Sequence, residues 1–212
     1  MSLNFSPHSR SRRTFGFTLV EMLVVIGIFS IMTAVALANL PAFRSQVTLD
    51  LVAQEVALAV RQAQVFTTGT RGLPTNYSFP SYGIYLDIRP SGASVFGDNA
   101  HIRFGLFPLV AGADVAAAAI TTNSYSETFL INGPVTIDSL EATGDAGCTS
   151  NPTYQLAIVF DRPYHEPRFY PNLASGSCTS AGIILASTRD VSIKRKIVVH
   201  ASGQIEVVGI PN

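Results

Sequence analysis

A chain of 212 residues, 47% apolar and only 13% charged, holds one ordinary domain and an appendage and excludes a multi-span membrane protein. Fourteen basic and fourteen acidic side chains cancel, but Arg10, Arg12 and Arg13 stand in a first segment without a carboxylate. Without residues 1–16, eleven basic would face fourteen acidic side chains, a balance with no general pull toward nucleic acid.

After a polar, irregular start, "RSRRTFG" forms a basic flank to the apolar run from Phe17 to Leu40, which is long enough to cross a bilayer. The flank predicts a cytoplasmic N-terminus, with everything after the span outside. A cleaved secretory signal would end in small residues soon after its apolar core. The only candidate here, "TAVALANL", comes too late, and the helical pattern runs through it, so the span reads as retained. One residue is out of place: Glu21, a carboxylate four residues into the run. Such a group costs a few kcal/mol in hydrocarbon unless it has a partner or a task.

Beyond Leu40, Val47, Leu51, Val52, Val56, Ala59, Ala63 and Phe66 recur at helical steps among Gln46, Asp50, Gln54, Glu55, Arg61 and Gln62. This predicts an amphipathic helix over 41–68 continuing the apolar one over 17–40, with a kink near Ala38 to Pro41. "TTGTRGLP" then ends the helix.

The remainder, 70–212, predicts a β-rich extracytoplasmic domain. "YGIYLDI" places Tyr82, Ile84, Leu86 and Ile88 on one face; "HIRFGLF" and "VTID" alternate likewise; "YQLAIVF" and "GIILAS" read as central strands; and "KIVVHASGQIEVV" reads as two strands around a Ser-Gly turn. "VAGADVAAAAITTN" at 110–123 fits either a short helix or a loop. The fold class is α+β: a long N-terminal helix packed on an antiparallel β domain.

Cys148 and Cys178 lie in Gly/Ser/Thr-rich loops beyond the span. They read as one disulfide in an oxidising compartment, the alternative being two unrelated thiols; no C-x-x-C or paired His supports zinc. His101, His165 and His200 are scattered and read as solvated. "DRPYHEPRFYP", with Asp161, His165 and Glu166, reads as an ordered surface loop rather than a metal site. No phosphate loop, paired-carboxylate site or nucleophile setting appears, so neither an enzyme nor a cofactor is expected. "IKRKIVV" is the one basic cluster beyond the leader. Lys194 and Lys196 share a strand face and Arg195 points the other way, which suits a solvated edge strand better than a phosphate track.

The junction "GFTLVEMLVVIGIFSIMTAVAL" resembles that of type IV prepilins and type II secretion pseudopilins: a basic leader ending in Gly16, then Phe17, Thr18, Leu19, Val20, Glu21 and an apolar helix. The resemblance implies a pilin-like fold. It also implies a prepilin peptidase/N-methyltransferase that removes residues 1–16 by cutting between Gly16 and Phe17 and methylates the new Phe17 amine. The subunit would then wait as a single-pass protein of the bacterial inner membrane, in contact with lipid, until an inner-membrane assembly platform draws it into a helical filament of pilin or pseudopilin subunits. Glu21 would pair with the Phe17 amine of a neighbour. The alternative is a plain single-pass anchor whose carboxylate reaches the headgroups.

The order of helix, "VRQAQ", "YGIYLD", "LAIVFDRPYHEPRF" and "IKRKIVVHASGQIEVV" is similar to that of FimT/GspH-type minor pilins and pseudopilins. A minor subunit of a pilus or secretion pseudopilus is the reading. A DNA-binding competence pilin using Lys194, Arg195 and Lys196, or a major pilin, is the alternative, with nucleic acid not an expected partner.

Overall fold

The computed structural model describes residues 16–69, 81–90, 92–109, 115, 120, 126–145, 148, 153–161, 166–174 and 176–210. The basic flank, the loop after the helix, most of 110–123, and His165 lie outside the described residues. Two compact units divide the chain, Met1–Pro41 and Ala42–Asn212. A single helix, α1 (Leu19–Thr68), supplies residues to both and includes Pro41.

In the first unit, every helical residue from Leu19 to Leu40 whose burial is described is exposed: Leu19 is 81% exposed, Phe29 69% and Val35 60%. This stretch is apolar all round and meets the length and composition needed to cross a membrane.

In the second unit, nine strands form two antiparallel sheets. The first has the order β3 (Glu127–Leu130), β2 (Arg103–Leu109), β1 (Ser81–Asp87), β5 (Gln155–Phe160), β6 (Pro167–Pro171); the second has β4 (Val135–Gly144), β7 (Cys178–Ser187), β8 (Lys194–His200), β9 (Ile205–Gly209). One core joins them to the helix: Leu49, Val52, Ala53, Val56, Val60 and Ala63 of α1 pack with Ile84, Leu86 and Ile158 of the first sheet and Ile137, Ile183 and Ile197 of the second. The α+β expectation is met, and "YQLAIVF" and "GIILAS" are interior strands as read. The Ser-Gly turn between β8 and β9 holds Gly203 at φ 81°, a left-handed conformation that glycine adopts without a Cβ penalty. Thr67 latches the end of the helix: its buried hydroxyl accepts the Tyr82 N–H at 3.0 Å and lies within donating distance of the Ala63 and Phe160 carbonyl oxygens.

Three expectations are corrected. Val47 and Leu51 face outward, 40% and 57% exposed, while Leu49, Ala53 and Val60 take the core positions; a face of α1 buried against two sheets turns further round the helix than the chosen stripe. "PRFYP" is the edge strand β6, not a surface loop. It pairs with β5 from Leu156↔Pro171 to Phe160↔Pro167, with Phe169 and Tyr170 buried; its prolines stand at the strand ends on a sheet edge, where a missing donor costs little. The basic strand β8 is no edge, since β7 and β9 flank it. Tyr82, Ile84, Leu86 and Ile88 share one face as read, all in the core that packs on α1, and every residue of β1 is buried. A second cluster, with Tyr85, Phe107, Val159 and Tyr170, covers the other face of the first sheet.

The two cysteines form a disulfide with Cα atoms 5.1 Å apart. The chain leaves the second sheet after β4, contributes β5 and β6 to the first, and returns as β7 beside β4. The bridge ties the ends of this 30-residue excursion. On the chain-entropy account such a closure is worth about 3–4 kcal/mol.

Candidate processing and assembly site

The N-terminal site is built by the first turn of α1. Thr18 stands just before the helix, and its Oγ1 accepts the Glu21 N–H at 3.2 Å while its carbonyl accepts the Met22 N–H at 3.2 Å. Thr18 is therefore the N-cap and Glu21 the third helical residue, the T-x-x-E spacing of a capping box. The carboxylate thus occupies the end of the helix that carries partial positive charge. The spacing was present in "TLVE" and its capping role was missed in the sequence, where Thr18 counted only as part of a junction.

Phe17 precedes the cap and is 77% exposed. Gly16 is exposed too, and a Cβ added to it would meet nothing within 4 Å. Neither packing nor backbone conformation in this chain requires glycine there.

The other sequence candidates are dispersed. Lys194 and Lys196 lie on one face of β8 and Arg195 on the other, as read, and each meets a carboxylate: Lys194 Nζ to Asp138 at 2.8 Å, Lys196 Nζ to Glu141 at 2.6 Å, and Arg195 Nε to Asp50 of α1 at 2.5 Å. A strand whose three cations already hold three carboxylates on two faces presents no continuous track for phosphates. Asp161 takes Ser81 Oγ at 2.6 Å and the Arg168 guanidinium, and so serves its own sheet. His101 is exposed, with Nδ1 2.8 Å from the Ile137 carbonyl oxygen; His200 lies 3.6 Å from Glu206. Among the described residues no three His, Cys, Asp or Glu converge to hold a metal ion.

One polar cluster escaped the sequence reading altogether. Asp87, fully buried at the end of β1, accepts from Arg89 Nε at 2.9 Å and Nη2 at 2.7 Å, from the Arg89 and Val95 N–H groups at 3.1 and 3.2 Å, and from the Tyr85 hydroxyl at 3.3 Å. Burial alone would raise the Asp87 carboxyl, but the Arg89 guanidinium and the two backbone donors outweigh it and hold it below the usual carboxylate range. Burial, and then the Asp87 charge, push the Tyr85 hydroxyl well above its ordinary value. With every acceptor position used by its own strand and loop, this is a clamp on the segment after β1 and not a reaction centre.

The family described as the prokaryotic N-terminal methylation motif matches residues 11–37. That match supports a type IV pilin-like or pseudopilin subunit processed by prepilin peptidase, a class of structural subunits and not of enzymes. With the one helix among the described residues that is long and apolar enough to cross a membrane, it fits a single-pass, membrane-anchored pilin. No curated protein and no solved structure matches the chain.

Proposed function

We propose that the protein is a minor pilin or pseudopilin, cut between Gly16 and Phe17, methylated on the Phe17 amine, and assembled from the bacterial inner membrane into a filament of a type IV pilus or a type II secretion system. The observation that carries this is a helix of unrelieved apolar exposure with a carboxylate, Glu21, in its first turn. Such a surface needs partners from outside the chain. A glycine at position 16 that the fold does not need suits recognition by an enzyme that must reach the bond after it. The leader arginines hold that bond on the cytoplasmic side, so the C-terminal unit faces the other side of the membrane.

Cleavage creates an α-amino group on Phe17 with an unperturbed pKa of about 8, cationic at neutral pH. It arises one residue before the N-cap, where the helix already carries partial positive charge, so the amine and the helix end repel in an isolated subunit. A Glu21 carboxylate from a neighbour answers both. A subunit in the wrong axial register leaves charges unpaired in a low-dielectric core, and register is thereby fixed.

The second half of the helix adds a further contact surface. Leu51, Leu58 and Val65 recur every seven residues and are 57%, 67% and 56% exposed, an apolar stripe turned away from the domain's own core. Beside it, Ala57 and Leu58 with Ile205 and Val207 of β9 line a groove open to solvent. The order of helix, β1, and β8 turning through Gly203 into β9 supports the FimT/GspH-type assignment of this unit. Its partners would be the peptidase, the assembly platform and sister subunits.

The test is Glu21→Val in a host with the complete machinery. Cleavage continues and incorporation into sheared filaments is lost; normal incorporation refutes the pairing role.

A further inference from the structure

We propose that the groove between α1 and the outer edge of β9 takes up an extended segment of another protein, which adds a strand to the four-stranded sheet and sets a carboxylate against Arg61. The site lies wholly within the second unit and needs neither cleavage at Gly16 nor a membrane.

Four strands end the two sheets, and three of them are protected against further pairing. β6 begins and ends in proline. β4 is broken by two register shifts and bridged through Leu140 to Thr153. β3 is four residues long, with its Glu127 carboxylate held by Gln62 Nε2 at 3.1 Å. β9 has none of these devices: it holds no proline or lysine, and its register with β8 is unbroken from Arg195↔Gly209 to Val199↔Ile205. The turn before it decides which backbone groups face out. The His200 N–H bonds the Gln204 carbonyl at 2.9 Å, and hydrogen-bonded pairs recur at every second residue of an antiparallel ladder, so Glu206 and Val208 bond to β8. The N–H and C=O groups of Ile205 and Val207 therefore point to the open side.

The side chains of the same two residues face the helix, where they line the groove with Gln54, Ala57, Leu58 and Arg61. Leu58 is 67% and Val207 38% exposed. Free backbone donors and acceptors beside an apolar groove suit a strand, whose main chain pairs with the edge while alternate side chains enter the groove.

The charge along the groove selects the segment. Arg195 meets Asp50, and Gln64 Nε2 reaches the Gly203 carbonyl oxygen at 3.4 Å, so β8 runs alongside α1 in the same sense and β9 in the opposite one. At the Gly209 end of β9, Asp50 and Arg195 neutralise each other. At the Ile205 end Arg61 is exposed, its Nη1 donates to Gln64 Oε1 at 3.2 Å, and among the described residues it has no carboxylate partner. An antiparallel guest with glutamate opposite Ile205 and apolar residues two and four positions later fills the groove and answers that cation. A second copy of β9 does not. Its groove carries the same excess of positive charge, and centring the pair on Val207 brings two Glu206 side chains to one diagonal of the other face.

The test uses the full-length chain in detergent micelles and two fluorescein-labelled peptides, Ser-Glu-Thr-Val-Thr-Val-Ser and the same sequence with lysine for glutamate, read by anisotropy and amide hydrogen exchange. The glutamate peptide should bind saturably and about tenfold more tightly than the lysine peptide. It should slow exchange at Ile205 and Val207 and leave the β6 amides unchanged. Arg61→Glu should reverse the preference. Val207→Pro removes an N–H that β8 does not use, so it should abolish binding and leave the unfolding transition in place. No saturable binding, equal binding of both peptides, or protection at another edge overturns the site. Dimerisation that protects Ile205 and Val207 without peptide overturns it too, by making a second copy the occupant.

Discussion

The two halves of α1 belong to one helix and differ in how much of their apolar surface is buried. From Leu49 to Ala63 the helix buries one face against two sheets and leaves an apolar stripe outside. From Leu19 to Leu40 every side chain whose burial is described is exposed. The first half explains itself by folding, the second only by an environment. The single carboxylate of the apolar half stands in its first turn, and the Asp50 carboxylate of the other half is already committed to Arg195. A side chain that internal packing does not use is the place to look for a role outside the subunit.

That contrast can be broken by substitution. Leu49→Ala should lower the unfolding free energy of the second unit by about 3 kcal/mol, since a fully buried leucine leaves both lost transfer energy and a cavity. Leu23→Ala, removing as many atoms from a 66% exposed site, should leave that unfolding free energy unchanged. Denaturant titration in detergent reads both, and an equal loss would erase the distinction between the halves.

Equal in size is the bridge. Cys148→Ser with Cys178→Ser should cost about 3 kcal/mol in the same titration, because the 30-residue excursion through β5 and β6 is no longer closed in the unfolded chain. Reductant should reproduce the loss in the parent and have no effect on the double variant.

The smallest effect is pH-dependent. The Asp87 carboxyl is held below its ordinary value in the folded chain, so the unfolded chain takes up this proton first as pH falls. The contribution is complete above the unfolded carboxylate pKa of about 3.9 and disappears as pH drops through the lower folded value. Asp87→Asn should therefore cost about 1–2 kcal/mol at neutral pH and flatten the stability profile below pH ~4. An unchanged acid limb would show that Asp87 is not the group that titrates there.

The features legible in the sequence were those set by local chemistry. Apolar length, the flanking arginines and the Glu21 offset are written in one contiguous stretch, and apolar alternation, continuous apolar runs and a Ser-Gly turn marked seven of the strands. Features set by non-local pairing were not. "PRFYP" looks like a loop until β5 supplies its partner, and Glu127–Leu130 has no apolar pattern until β2 pairs with it. The division into two sheets is settled by which strands meet, and no local pattern records that β5 leaves β4's sheet. Asp50, Asp138 and Glu141 lie 145, 56 and 55 residues from the cations they neutralise. The basic run therefore looked solvated where the fold had already paired it. The Thr18 cap was legible in "TLVE" and passed over because the processing junction occupied the same letters.

The central claim is that residues 1–16 are removed and that Phe17 begins the mature subunit. Intact-mass measurement of the protein purified from a host with prepilin peptidase tests it most directly. The account predicts a chain starting at Phe17 and about 14 Da heavier than its unmodified sequence, from one methyl group. A chain retaining Met1 or the leader arginines, or one starting at any other residue, would contradict it.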